Sequence, residues 1–123
     1  MALSGPRARH RRRIERAIEA HLVMLLKESD YTSANIRIYG QLPEEAKRRH
    51  RNLRREYGKF WDDLFAQAQR AGEIRSNIKI MPLRMFVLGA LNWTVEWFDA
   101  ERYSVRELAE RTSLLIFDGI QKR

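Results

Sequence analysis

MPLRMFVLGALNWTVEWFDAERYSVRELAERTSLLIFDGI, residues 81–120 of a 123-residue chain, decides how the whole sequence is read. At about 100° per residue along an α-helix, Phe86, Ala90, Trp93 and Trp97 line up as one apolar stripe. Val87, Leu91, Val95 and Phe98 form a second stripe on another side of the same helix, which is expected to begin at Pro82 and end near Asp99. One stripe is enough to seat a helix on the core of a small protein. The second therefore predicts a covering by another copy of the chain or by a ligand. Ser104-Val105-Arg106-Glu107 then has the spacing of a capping box and starts a last helix. That helix carries Val105, Leu108, Ala109, Thr112, Leu115 and Ile116 on one face and Leu114 and Phe117 on its back.

The same periodicity extends upstream. Ser4-Gly5-Pro6 signals a helix start, and the helix over residues 7–28 places Ile14, Ile18, His21 and Leu25 on one face. Residues 22–26 are apolar all round, which predicts a deeply buried second half. Thr32 to Tyr39 reads as a short helical segment broken at Gly40 and before Pro43. Pro43-Glu44-Glu45 opens the longest helix, with proline in the first turn and acids near the positive end of the dipole. Its stripe is Ala46, Leu53, Tyr57, Phe60, Leu64, Ala68 and Ala71, flanked by Trp61, and Gly72 is the expected stop. Nothing reads as a strand pair. The expectation is one all-α domain over residues 1–123, a bundle of about five helices.

Hydrophobic residues make up 44% of the chain and charged residues 33%, the balance of a globular rather than a disordered sequence. The run over residues 83–98 is too short for a bilayer and is interrupted by Arg84, Asn92 and Glu96, so no membrane partner is expected. The chain has no cysteine, which excludes disulfides and thiolate metal sites and makes the cytoplasm the default compartment. The formal net charge is +8, concentrated in arginines 7–16 and in the run KRRHRNLRR at residues 47–55. Such an excess points to a polyanionic partner, a nucleic acid, an anionic lipid or a phosphorylated small molecule.

Catalytic chemistry has no visible carrier. His10, His21 and His50 lie on separate segments without metal-ligand spacing, and no nucleophile elbow or phosphate-binding glycine loop is present. His21 falls on an apolar stripe, as a core or pocket-lining histidine would. Asn92 and Glu96 share an edge of the two-striped helix, where they could hold a ligand's polar end or form a plain polar seam. Trp61, Phe65, Phe86, Trp93 and Trp97 are a dense aromatic group, and large rings between helices favour a small-molecule pocket. They are not interleaved with the arginines, which argues against stacking on single-stranded nucleic acid.

In helix order and in PRARHRRRIERAIEAHL, LPEEAKRRHRNLRREYGKFWDDLFAQAQRAGEIR and GALNWTVEWF…SVRELAERTSLLIFDGI, the chain resembles the C-terminal ligand-binding and dimerisation domain of TetR-type transcriptional regulators over residues 7–120. GALNWTVEWF is similar to a branch that senses acyl-CoA thioesters, which implies that Asn92 and Trp93 face a ligand. The resemblance implies a homodimer whose last two helices pair across a two-fold axis into a four-helix bundle. It also implies that DNA is met only through a helix-turn-helix head, expected to be absent from this chain. The ligand-binding expectation is His21, Leu25, Tyr57, Trp61, Phe86, Ala90, Asn92 and Trp93. The dimer expectation is Val87, Leu91, Val95, Leu108, Thr112, Leu115 and Ile116, and Arg48, Arg51 and Arg55 are expected to meet CoA phosphates. The function expected is an effector-binding repressor domain, not an enzyme and without a cofactor. The alternative is a basic helical nucleic-acid-binding protein.

Overall fold

In a computed structural model, which describes residues 9–27 and 43–120, the described residues form four α-helices: α1 (Arg9–Lys27), α2 (Glu44–Arg70), α3 (Ile80–Trp93) and α4 (Val105–Asp118). No strand occurs among the described residues. The short helix expected over residues 32–39 lies outside them. α1 is the centre of the bundle. It packs on α2, α3 and α4, most extensively on α4. Ile14, Ile18 and Leu22 of α1, Trp61, Phe65 and Ala68 of α2, Leu91 of α3 and Ala109 of α4 are sealed from solvent in one core. Burying a side chain of the size of Trp61 or Phe65 removes enough apolar surface to stabilise the fold by about 2–3 kcal/mol.

Three boundaries follow from local chemistry. α2 ends in a Schellman motif, with Gly72 N–H donating to Gln69 O (3.1 Å) and Glu73 N–H to Ala68 O (2.9 Å). Gly72 sits at φ +81°, a left-handed conformation that glycine adopts without steric cost. α4 begins at Ser104, whose Oγ accepts the Glu107 N–H at 3.0 Å, as the capping-box spacing predicts. The Glu107 carboxylate turns instead to Arg111, at 2.9 Å.

α3 stops earlier than its apolar pattern implies. Thr94 Oγ1 donates to Leu91 O at 2.6 Å, and a 3-10 turn, Thr94–Glu96, follows. Local bonding by a β-branched hydroxyl residue competes with the helical ladder, so the expected continuation to Asp99 does not form. Trp97 and Phe98 therefore leave the helical phase of their stripes. Two further burial expectations are corrected. Val23 and Met24 are exposed, so the second half of α1 is amphipathic rather than enclosed. The buried line of α2 runs through Gly58, Trp61, Leu64, Phe65 and Ala68, leaving Leu53 and Phe60 of the expected stripe exposed.

Candidate functional site

α3 has three faces where two apolar stripes were read. Val87 and Leu91 enter the protomer's own core, about 300–340° around the helix if Arg84 is taken as zero and 100° is added per residue. Phe86, Ala90 and Trp93 occupy the arc at about 180–240° and stand in solvent, with Phe86 82% and Trp93 65% exposed. Between these arcs lie Arg84, Met85, Leu88, Gly89 and Asn92, and they look across at α2. With His21, Arg54, Tyr57 and Gly58 they line an open cleft of about 460 Å³.

The floor of this cleft is a hydrogen-bonded relay joining three helices. His21 on α1 bonds through Nδ1 to the Tyr57 hydroxyl on α2 (2.7 Å) and through Nε2 to Asn92 Oδ1 on α3 (2.8 Å). A carbonyl oxygen only accepts, so Nε2–H donates to Asn92 and Nδ1 accepts the Tyr57 O–H, the pattern of a neutral imidazole. Burial holds the His21 pKa below its usual value, and the hydrogen bond to Asn92 acts in the opposite direction. Burial likewise pushes the Tyr57 hydroxyl up, countered by the neighbouring Trp61. Trp61 packs edge-on against both rings, with centroids 6.2 Å from each. Its indole N–H, though close, makes no hydrogen bond of acceptable geometry.

Charge enters the cleft from α3. The Arg84 guanidinium crosses α2 over Gly58, and its Nε donates to Asp62 Oδ1 at 2.7 Å. A Cβ on residue 58 would come within 3.0 Å of Arg84 Nη1. A glycine in a helix interior costs about 1 kcal/mol relative to alanine, and here it leaves room for the crossing guanidinium. Sequence reading missed Gly58, Arg84 and Asp62. The available signal was the mixed spacing of Arg84, Leu88 and Asn92 at i, i+4 and i+8, which apolar-stripe counting passes over.

The expected ligand residues divide. His21, Tyr57 and Asn92 meet at the cleft with Trp61 packed against them. Leu25 is buried but does not line the cleft, and Phe86, Ala90 and Trp93 lie on the exposed face, away from it. The aromatic group divides as well, with Trp61 and Phe65 sealed in the core and Phe86, Trp93 and Trp97 outside. Of the expected dimer residues, Val87, Leu91 and Leu108 are in the protomer's own core. There they are closed to a partner, because their neighbours within the protomer already cover them. Thr112 and Ile116 are half-buried, and Val95 and Leu115 are exposed. Ser113 takes the fully buried position on α4, and its hydroxyl has no partner. Arg48, Arg51 and Arg55 are exposed on α2. Arg54 is the member of the basic run that lines the cleft.

The opposite end of α1 is held differently. The Glu73 carboxylate, from the turn after α2, accepts the backbone N–H groups of Arg11 (3.0 Å) and His10 (3.2 Å). α1 has no acid of its own in its first turn, so this cap is supplied across the bundle. Arg11 pairs with Asp118 at 3.1 Å and lies over the Phe117 ring at 5.2 Å.

Among the described residues no group of acids and histidines is arranged to hold a metal ion, and no helix is long and apolar enough to cross a membrane. A helical bundle with a polar-floored cleft between its helices is a usual setting for a small-molecule site. Over residues 7–120 the chain matches the family described as "Tetracyclin repressor-like, C-terminal domain". It belongs to that family, the ligand-binding and dimerisation part of TetR-type regulators. No significant match was found among curated proteins or among solved structures.

Proposed function

We propose that this chain is the effector-sensing domain of a TetR-like repressor, acting as a cytoplasmic homodimer on a small hydrophobic ligand of the acyl-CoA thioester kind. It is not an enzyme in this reading. The observation that carries it is the His21 relay, which ties α1 to α2 and α3 where the cleft opens. A ligand group that competes for Asn92 or Tyr57 releases His21, and α1 takes a second position relative to the other helices. The ligand shifts the balance between the two positions by its difference in affinity for them. In this reading DNA is met only through a helix-turn-helix head, not through these four helices.

Calorimetric titration with a panel of acyl-CoA thioesters tests the ligand. Saturable binding is expected, weakened markedly in Arg48→Glu/Arg51→Glu, and absence of binding across the panel removes the acyl-CoA reading. The exposed face of Phe86, Ala90 and Trp93 on α3 supports self-association, since bare apolar patches of this kind mark interfaces. Sedimentation should report a dimer for the wild type and a monomer for Phe86→Arg/Trp93→Arg. A wild-type monomer at high concentration would end the homodimer proposal. The exposed arginines of α2 support a second reading, in which the domain binds nucleic acid through phosphates. Its signature is duplex binding that weakens steeply with added salt.

A further inference from the structure

We propose that the cleft between α2 and α3 selects amphipathic oxyanions, with the Arg84 guanidinium laid over Gly58 receiving a carboxylate or phosphate head and Met85 and Leu88 taking the apolar tail. This rests on the reading of the cleft as the effector site. The lining is rich in donors and poor in acceptors. Arg54 and Arg84 face it, and none of the lining residues carries a carboxylate. Asp62 engages Arg84 through Nε alone, while Nη1 reaches only the Met85 sulfur, at 3.9 Å. Among the described residues the guanidinium's outer fork thus has no oxygen partner. That fork is the part of arginine that binds carboxylate and phosphate in bidentate fashion.

Asn92 adds to the same bias. Its Oδ1 is taken by His21, which orients the Nδ2 donors away from the ring. The Tyr57 hydroxyl, donating to His21, can still accept. A neutral hydroxyl ligand would find one acceptor and many donors, whereas an oxyanion matches them. Asp62 holds the guanidinium in place, at the expense of partly neutralising it.

The test compares octanoate, octyl phosphate and 1-octanol, which share a tail and differ in the head, by calorimetric titration of the full chain. Both anions, or whichever of the two the fork fits, should bind the wild type at least about tenfold more tightly than the alcohol. Arg84→Gln should abolish that advantage while leaving octanol affinity unchanged. Asp62→Asn should move affinity the other way and tighten the anions, because the competing carboxylate is gone. Gly58→Ala favours the helix but displaces the guanidinium, and should weaken the anions selectively in a protein that remains folded. Equal affinity of all three probes for the wild type overturns oxyanion selection and leaves the cleft as an effector site. Parallel weakening of all three by Arg84→Gln and Asp62→Asn shows a purely structural ion pair and also overturns it. Failure of every probe to bind overturns the effector cleft itself.

Discussion

The two ends of α1 are held by opposite kinds of chemistry. Near Arg11, a carboxylate caps backbone N–H groups and an ion pair reaches α4. About 15 Å further along the helix axis, His21 is held by two neutral hydrogen bonds on the floor of an open cleft. Glu73, Phe117 and Asp118, which hold the first end, are not among the residues that line the cleft. The second shares Tyr57 and Asn92 with it. The proposed sensing mechanism requires this asymmetry, because in it a ligand releases the second end and leaves the first in place.

The largest disturbance should come from Trp61→Ala, which removes the ring packed against both His21 and Tyr57. A fully buried tryptophan replaced by alanine costs about 3–5 kcal/mol, read by chemical denaturation, and the His21 end should loosen before the Glu73 end. A loss below about 1 kcal/mol would mean that the relay does not depend on this packing. Glu73→Ala removes the cap supplied across the bundle and should cost about 1–2 kcal/mol. It should raise hydrogen-exchange rates at the start of α1 and leave the cleft's ligand affinity unchanged. An altered affinity would show that the two ends are coupled, not independent.

Smaller effects separate the ends further. Tyr57→Phe keeps the ring and deletes the O–H donated to His21, for a cost of about 1 kcal/mol. Acidification should act on the same end. Burial lowers the His21 pKa in the folded protein, so the unfolded chain binds the proton more readily. The stability this group contributes is complete above its ordinary value near 6.5 and declines as pH falls through the depressed folded value. His21→Gln should flatten that part of the stability–pH curve. An unchanged curve would show that His21 is not buried as a neutral ring.

Much of the frame was legible residue by residue. The Ser104 cap, the Gly72 stop and the inward face of Ile14, Ile18, His21 and Leu25 all follow from local spacing, because caps and helical periodicity depend on near neighbours in the chain. The two apolar arcs of α3 over residues 86–93 were also visible, but not which of them faces inward, nor that the helix stops at Trp93. Val87 and Leu91 and the Phe86–Trp93 side are similar in hydrophobicity, and only the position of α1 and α2 decides between them. The cleft was legible in part. His21, Tyr57 and Asn92 were singled out, whereas Arg84 over Gly58 was not, since a charged residue within an apolar run and a glycine 26 positions away give no joint signal.

The order of apolar and capping residues along the chain therefore determined, without any structure, that this protein is a helical bundle, while its kinship with TetR C-terminal domains lay in the resemblance of whole segments over residues 7–120. Helix type, caps and amphipathic faces arise from interactions spanning about four residues, and the sequence displays those directly. Tertiary structure alone decided that Glu73 caps a helix more than sixty residues earlier, that Val87 and Leu91 face inward, and that Asp62 steers Arg84 across Gly58. Each of these joins elements distant in sequence, so its energy depends on where whole helices come to rest.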